Sequence, residues 1–338
     1  MVEWQNKDRD GITGAMWQTI GHAWAVALLK SALAAGKLAH SYLFTGPANI
    51  GKTHLAKELA AALQCGAEEP PCGLCEACRR VQQGAHPDVT LVEPQDGRLK
   101  IDQVRGLQRE LALSPYQGRW RVCIITDFQQ ATQEAANALL KTLEEPPARA
   151  VLLLTATDAS LLLPTIVSRC QVVPLRAVPE HEIKRSLMER WRVQESTATL
   201  VARLAAGRIG WAIRAMEDPA LLASRREQIE ELLHIVGQGP AARLRAAEKL
   251  AGREDLADTL RLWQSWWRDL MLLGSGCGEL VVNLDYEQTL RQQAQRYDLR
   301  QAKAAVRNIE AALQQLEQNV NPRLALEVLL LGWQRARP

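Results

Sequence analysis

Ser41-Tyr42-Leu43-Phe44-Thr45-Gly46-Pro47-Ala48-Asn49-Ile50-Gly51-Lys52-Thr53 is the stretch that decides the fold. Its first five residues form a short apolar run of strand character. The next eight match the spacing Gly-x4-Gly-Lys-Ser/Thr of a phosphate-binding loop. An Ala/Leu-rich pattern over residues 52–63 predicts a helix directly after it. Strand, glycine turn and helix, in that order, are the setting in which such a loop holds phosphate. Small residues let successive backbone N–H groups curl around phosphate oxygens at a helix N-terminus. Lys52 would neutralise the outer phosphates and Thr53 would hold Mg²⁺. Gly46, Pro47, Ala48, Asn49, Ile50, Gly51, Lys52 and Thr53 are therefore the candidate nucleotide-binding residues, for ATP or ADP with Mg²⁺. The motif speaks for binding; hydrolysis is a separate matter.

Outward from this loop, the first half alternates helix-like and strand-like patterns. Residues 21–36, 52–63, 101–113 and 133–143 carry helical periodicity, and residues 41–45, 89–93, 120–126, 150–155 and 170–173 are short apolar runs. Repeated strand–helix–strand alternation predicts an α/β domain, a mostly parallel sheet covered by helices on both faces. Beyond Pro174 strand-like runs nearly vanish, and helical patterns over 179–191, 196–206 and 210–216 lead into longer helical segments. Pro174 and Pro179 flank one expected boundary, and Gly237-Gln238-Gly239-Pro240 marks another. The expected organisation is residues 1–175, 176–238 and 239–338, in keeping with two or three domains for 338 residues.

Composition sets the class. Hydrophobic residues make up 47% and charged residues 23%, ordinary for a folded protein and unlike a disordered chain. Forty-one Lys and Arg against 38 Asp and Glu leave +3, too balanced either to demand or to exclude nucleic acid. No run of 18 apolar residues predicts a membrane span. Met1-Val2-Glu3-Trp4-Gln5-Asn6-Lys7-Asp8-Arg9-Asp10 is polar and lacks the apolar centre of a signal peptide. A cytoplasmic protein without a membrane partner is expected.

Four of the seven cysteines, Cys65, Cys72, Cys75 and Cys78, fall within 14 positions. An odd total and one tight cluster fit reduced thiols around a metal better than disulfides. Four thiolates close a tetrahedral Zn²⁺ site without water, so the expected metal is structural. An iron–sulfur cluster is the competing metal, but the usual final Cys-Pro spacing is missing.

Several segments resemble the AAA+ clamp-loader family of bacterial DNA polymerase III, its delta-prime and gamma/tau subunits. They are Ile20-Gly21-His22, His40-Ser41-Tyr42-Leu43-Phe44-Thr45-Gly46-Pro47, His86-Pro87-Asp88-Val89, Ala136-Asn137-Ala138-Leu139-Leu140-Lys141-Thr142-Leu143-Glu144-Glu145-Pro146-Pro147 and Leu163-Pro164-Thr165-Ile166-Val167-Ser168-Arg169-Cys170. A zinc knuckle just after the loop helix belongs to the same resemblance, and Asn321-Pro322-Arg323-Leu324-Ala325-Leu326-Glu327 echoes the family's last helix. The resemblance is close over about residues 18–175 and covers 180–320 only in being helical.

The resemblance implies an AAA+ nucleotide-binding domain, a helical lid and an all-α collar that joins subunits. It also implies gamma/tau and delta partners, a sliding clamp and primer-template DNA. In hydrolysing members an Asp-Glu pair ends the strand before the Asn-Ala-Leu-Leu-Lys helix; the matching positions here are Thr126 and Asp127. A lid arginine that senses the γ-phosphate is matched by Gly210. With both groups replaced, strong intrinsic ATPase activity is not expected, and the pattern resembles delta-prime more than gamma. The lack of a long segment after the collar points the same way. Arg169 matches the arginine that reaches into a neighbour's ATP site, a finger acting in trans. A gamma-like active ATPase and an unrelated zinc-containing P-loop regulator are the alternatives.

Other features invite simpler readings. Trp263, Trp266, Trp267 and Leu270, at helical spacing, are expected in a core. Arg105 and Arg109 are read equally well as phosphate-tracking or as solvated charge. His40 and His86 have no partner at metal or triad spacing and are expected to make local hydrogen bonds.

Overall fold

The computed structural model describes residues 17–318 and 320–333, so the polar Met1–Asp10 stretch lies outside the described residues. The chain divides into two compact units: Met1–Ser186 with Gly207–Trp211, and Leu187–Ala206 with Ala212–Pro338.

The first unit is built on five parallel strands: β1 (Ser41–Thr45), β2 (Val89–Val92), β3 (Arg121–Ile125), β4 (Ala150–Ala156) and β5 (Gln171–Pro174). Their order is β2-β3-β4-β1-β5. Both β1 and β4 are buried along their whole length, which is why they read as continuous apolar runs rather than alternating ones. Strand pleating still sorts their side chains between two layers. Tyr42, Phe44, Val122, Ile124, Val151 and Leu153 join one core with α1 (Ala23–Ala34), α2 (Lys52–Gln64) and α3 (Glu76–Gln82). Leu43, Cys123, Ile125, Leu152 and Leu154 join the other with α4 (Ile101–Leu111), α5 (Gln133–Glu144) and α6 (Pro164–Val167). The expected α/β sheet with helices on both faces is present. Helix α3, which starts after Cys75 and carries Cys78, was not legible from periodicity because it is only seven residues long.

The His86-Pro87-Asp88 segment has a structural task. Asp88 is fully buried and accepts the backbone N–H groups of Tyr116, Gln117 and Gly118 at 2.6, 2.8 and 2.6 Å. Arg121 Nη1 lies 3.2 Å from Oδ1, the oxygen that also accepts Tyr116 N–H. The Asp88 N–H in turn donates to His86 Nδ1 at 3.1 Å, the local bond expected of that histidine. One carboxylate thus closes the loop that delivers the chain into β3.

In the second unit, α8 (Glu195–Ala205), α10 (Pro219–Gly237), α11 (Pro240–Leu250), α12 (Leu256–Gly274), α13 (Glu287–Arg296), α14 (Leu299–Glu317) and α15 (Pro322–Leu331) make the region helical, as expected. Helices α7 (Glu180–Trp191) and α9 (Ile209–Glu217) each have residues in both units. Trp263, Trp266, Trp267 and Leu270 lie in the core with Ile229, Leu232, Ile309 and Trp333. The tryptophan stripe is therefore packing, with Trp263 donating to Gln228 O at 2.8 Å. Buried Arg243 donates to Val236 O, Leu330 O and Trp333 O at 2.8, 3.2 and 2.6 Å. A guanidinium there meets carbonyls that helix ends leave without partners.

Asp88→Ala should cost about 3 kcal/mol or more, because it strands three backbone donors and takes the counter-charge from the mostly buried Arg121 guanidinium, which keeps only the carbonyls of Pro87 and Ser114. Burial opposes the Asp88 charge, but the three N–H groups and Arg121 outweigh it and hold the carboxyl below its usual value. Its folded pKa being depressed, its stabilisation is full above the ordinary aspartate range and lost as pH falls through the folded value. Urea denaturation should show a large gap between wild type and variant at pH 7 that narrows below about pH 4.

Candidate nucleotide and metal sites

The phosphate loop follows the C-terminal end of β1. Gly46 has φ 140°, and a Cβ there would come 2.4 Å from Leu175 O, so glycine alone fits. Its N–H is shared between Ala156 O and Thr157 O at 3.2 and 3.1 Å, tying the loop to the end of β4. Asn49 and Gly51 are left-handed, at φ 62° and 104°. Every one of these turns aims a carbonyl at the protein. Lys52 Nζ donates to Gly46 O and Pro47 O at 2.7 and 2.8 Å. Asn49 O accepts from Gly210 N–H at 2.8 Å, and Ile50 O accepts from His22 Nε2 at 3.0 Å. Among the described residues, the N–H groups of Ala48, Asn49, Ile50 and Gly51 have no partner. Satisfied carbonyls and open donors at the start of α2 make a concavity suited to an anion. Burial lowers the Lys52 pKa, while the Asp127 carboxylate acts in the opposite direction.

Thr126 and Asp127 follow the C-terminal end of β3. Thr126 is buried, and Asp127 is left-handed at φ 46°. Asp127 N–H donates to Thr155 Oγ1 at 3.0 Å, and its carboxylate accepts from Gln129 Nε2 at 3.3 Å. The Gln129 carbonyl accepts Thr157 N–H at 3.3 Å. One carboxylate, rather than two, therefore stands near the loop lysine. Gly210 sits against the loop itself: a Cβ on it would lie 2.9 Å from Asn49 O. An arginine at this position would push the start of α9 off the loop. Arg208, two positions before Gly210, lies over the Trp211 ring, 5.8 Å from its centroid. Sequence reading missed Gln129 and Thr155. A threonine at the end of an otherwise apolar strand was the available signal for the latter.

Arg169 lies at the opposite end of the sheet. Its carbonyl accepts from the hydroxyl of fully buried Ser41, the first residue of β1. Gly46 follows the last residue of that strand, about 16 Å further along at 3.3 Å per residue. The guanidinium is held by Thr165 O, 3.0 Å from Nη1, and by Glu144 Oε1, 2.8 Å from Nη2, with the Arg169 side chain 35% exposed. The structure thus gathers the loop, Thr126, Asp127 and Gly210 at one end, and sets Arg169 at the other.

The four clustered cysteines are reduced, and their sulfurs all lie within 4.8 Å of one another. Cys72 N–H points at Cys65 Sγ, Cys75 N–H at Cys72 Sγ and Cys78 N–H at Cys75 Sγ, at 3.3, 3.3 and 3.4 Å. Such N–H···S bonds favour thiolates. The N–H groups of Cys75 and Leu74 hold the Cys72 thiol down at about 6, whereas burial pushes Cys65 and Cys78 up. Four convergent sulfurs with backbone donors behind them can hold a metal ion.

Arg105 and Arg109 are exposed on α4. No helix among the described residues is long and apolar enough to cross a membrane.

Two family models match the chain. "DNA polymerase III, delta subunit" covers residues 21–179, and "DNA polymerase III, delta subunit, C terminal" covers residues 219–335. The delta′ subunit of Pseudomonas aeruginosa is 35% identical over 69% of this chain and 62% of its own. That of Bacillus subtilis is 34% identical over 61% of this chain and 63% of its own. The tau subunit of Salmonella typhimurium is 36% identical over 50% of this chain, which spans only 26% of that protein. The chain thus matches about a quarter of the tau subunit's length and somewhat under two thirds of the delta′ relatives'. With consecutive delta-subunit models over more than four fifths of its residues and delta′ relatives about 35% identical to it, the chain belongs to the delta′ family of DNA polymerase III.

Proposed function

We propose that the chain supports ATP-driven loading of a sliding clamp onto primer-template DNA, as a delta-prime-type scaffold that lends Arg169 to a neighbouring subunit's ATP site. The observation that carries this reading is the separation along β1. Ser41, which holds the Arg169 carbonyl, stands about 16 Å along one buried strand from the start of the chain's own phosphate loop. The Arg169 guanidinium is partly exposed. Residues 176–238 act as the lid and 239–338 as the collar, which holds gamma/tau and delta partners. The reduced thiols fit a cytoplasmic setting.

At the chain's own loop, the open N–H groups from Ala48 to Gly51 and the Lys52 ammonium would bind the phosphates of ATP or ADP, with Thr53 toward Mg²⁺. A bound nucleotide would supply the phosphoryl group and its charge. Thr126 has no carboxylate to support the metal, Asp127 alone faces Lys52, and Gly210 brings no charge to the γ-phosphate. Positioning and electrostatics provide almost all phosphoryl-transfer catalysis, so nucleotide held here turns over very slowly. The purified single chain should bind ATP or ADP with Mg²⁺ in calorimetry, and Lys52→Ala should weaken that binding. Steady ATP turnover by the isolated chain would instead support a gamma-like enzyme.

In the assembly, Arg169→Ala should leave folding and subunit association unchanged while slowing hydrolysis at the one site it faces. Such fingers are worth about 10³–10⁵ in rate, although an ensemble of several sites would show less. DNA- and clamp-stimulated ATPase and clamp-loading rates measure this. Normal loading by Arg169→Ala assemblies would refute the trans contribution.

We assign Zn²⁺ to Cys65, Cys72, Cys75 and Cys78. Tetrahedral coordination with Zn–S near 2.3 Å requires sulfurs about 3.8 Å apart. Cys65 Sγ and Cys75 Sγ are 3.9 Å apart, which supports the fit. With all four positions taken by sulfur, the metal would hold the α2–α3 connection and perform no chemistry. Elemental analysis should give about one zinc per chain, and chelation should expose the 65–82 segment to protease without altering the loop. Iron with visible absorbance would refute the assignment.

A further inference from the structure

We infer that Glu144 is a positioning residue for Arg169: its carboxylate fixes the guanidinium in one geometry, so the arginine is presented to the neighbouring site already oriented. The inference rests on the trans role proposed for Arg169 and assigns a task to a residue with no direct part in phosphate contact.

Glu144 is the last residue of α5, a helix anchored in the core by Leu139 and Leu143. Pro146 and Pro147 follow closely and prevent the helix from continuing. The carboxylate therefore stands on a fixed mount. It lies 2.8 Å from Arg169 Nη2. Thr165 O holds Nη1 at 3.0 Å from the preceding turn, and the Ser168 hydroxyl is 3.5 Å away. Ser41 fixes the Arg169 backbone from β1 at 2.7 Å. The arginine is thus held at its carbonyl, at Nη1 and at Nη2, from three separate elements.

An unrestrained arginine samples many rotamers, and holding a catalytic cation in one of them removes that loss from the reaction. The geometry leaves donors to spare. A guanidinium has five N–H groups in a planar fork. Among the described residues Nε–H has no partner, and Nη2 can give only one of its two hydrogens to Glu144 along a single 2.8 Å bond. That free edge is suited to a phosphate oxygen. Glu144 is half exposed, so solvent screens its negative charge while its hold on the side chain remains.

The test uses the full chain assembled with its clamp-loader partners, clamp and primed DNA, and compares Glu144→Ala, Arg169→Ala and the double variant. Glu144→Ala should lower the kcat for stimulated ATP hydrolysis about two- to fivefold, the size expected when an exposed ion pair no longer fixes one conformation. KM for ATP should not change, since binding lies with the neighbouring subunit. In the Arg169→Ala background the same substitution should do nothing further. A structural role at the end of α5 would instead add its loss in both backgrounds, and that result would overturn the inference. A rate increase in Glu144→Ala would overturn it too, by showing that the carboxylate restrains the arginine from the phosphate. If Arg169→Ala lowers activity and Glu144→Ala does not, the trans finger stands and the positioning role fails. If Arg169→Ala itself has no effect, both fail.

Discussion

Strand β1 is hydrogen-bonded to β4 on one side and β5 on the other, and it is buried on both faces. A strand in that position cannot bend or slip, because every shift would break two ladders and expose apolar side chains. Its two ends are consequently fixed points. Gly46 leaves one end into the phosphate loop, and Ser41 at the other holds the Arg169 carbonyl. The distance along the sheet between the Gly46 turn and the Arg169 backbone is set by five residues of buried strand. A mobile or edge strand would not enforce that separation.

The polar groups buried in the two units serve mainly to hold segments that have no regular structure. Asp88 gathers the loop before β3, and Asp269 does the equivalent in the second unit by accepting Val282 N–H and Asn283 N–H. Arg225, which donates to Asn283 and Asp285, extends that network. These groups sit where backbone donors and carbonyls would otherwise be buried without partners, a cost comparable to that of a lost hydrogen bond for each. Burial pushes the Asp269 pKa up although its hydrogen bonds favour the charge, whereas at Asp88 the bonds prevail. Burial leads at both sites; at Asp88 the Tyr116, Gly118 and Gln117 N–H groups, with Arg121 after them, outweigh it, whereas at Asp269 burial prevails over its N–H donors and Arg268.

The loop after β1 leaves its N–H groups from Ala48 to Gly51 open, and position 210 beside it carries glycine, not arginine. The Asn49–Gly210 contact explains part of this in steric terms. The backbone N–H of Gly210 takes the loop carbonyl at a distance no side chain would permit. The glycine thus permits direct backbone packing, and the loop gains a neighbour at the start of α9.

The order of strands and helices, the phosphate loop, the cysteine cluster and the buried tryptophan stripe could all be read from local pattern. Each depends on residues close in sequence, and their spacing reports directly on hydrogen-bond periodicity or ligand reach. Helix α3 and the roles of Gln129, Thr155 and Glu144 could not be read in that way. Gln129 and Thr155 meet Asp127 from different elements, and Glu144 reaches Arg169 across 25 positions, with Ser41 contributing from 128 positions away. Sequence alone determined which chemical groups the chain carries and the type of element bearing each. Only the tertiary structure decided which ends of the sheet those groups share, because strand order and register are set by the packing of the whole core and not by any one segment.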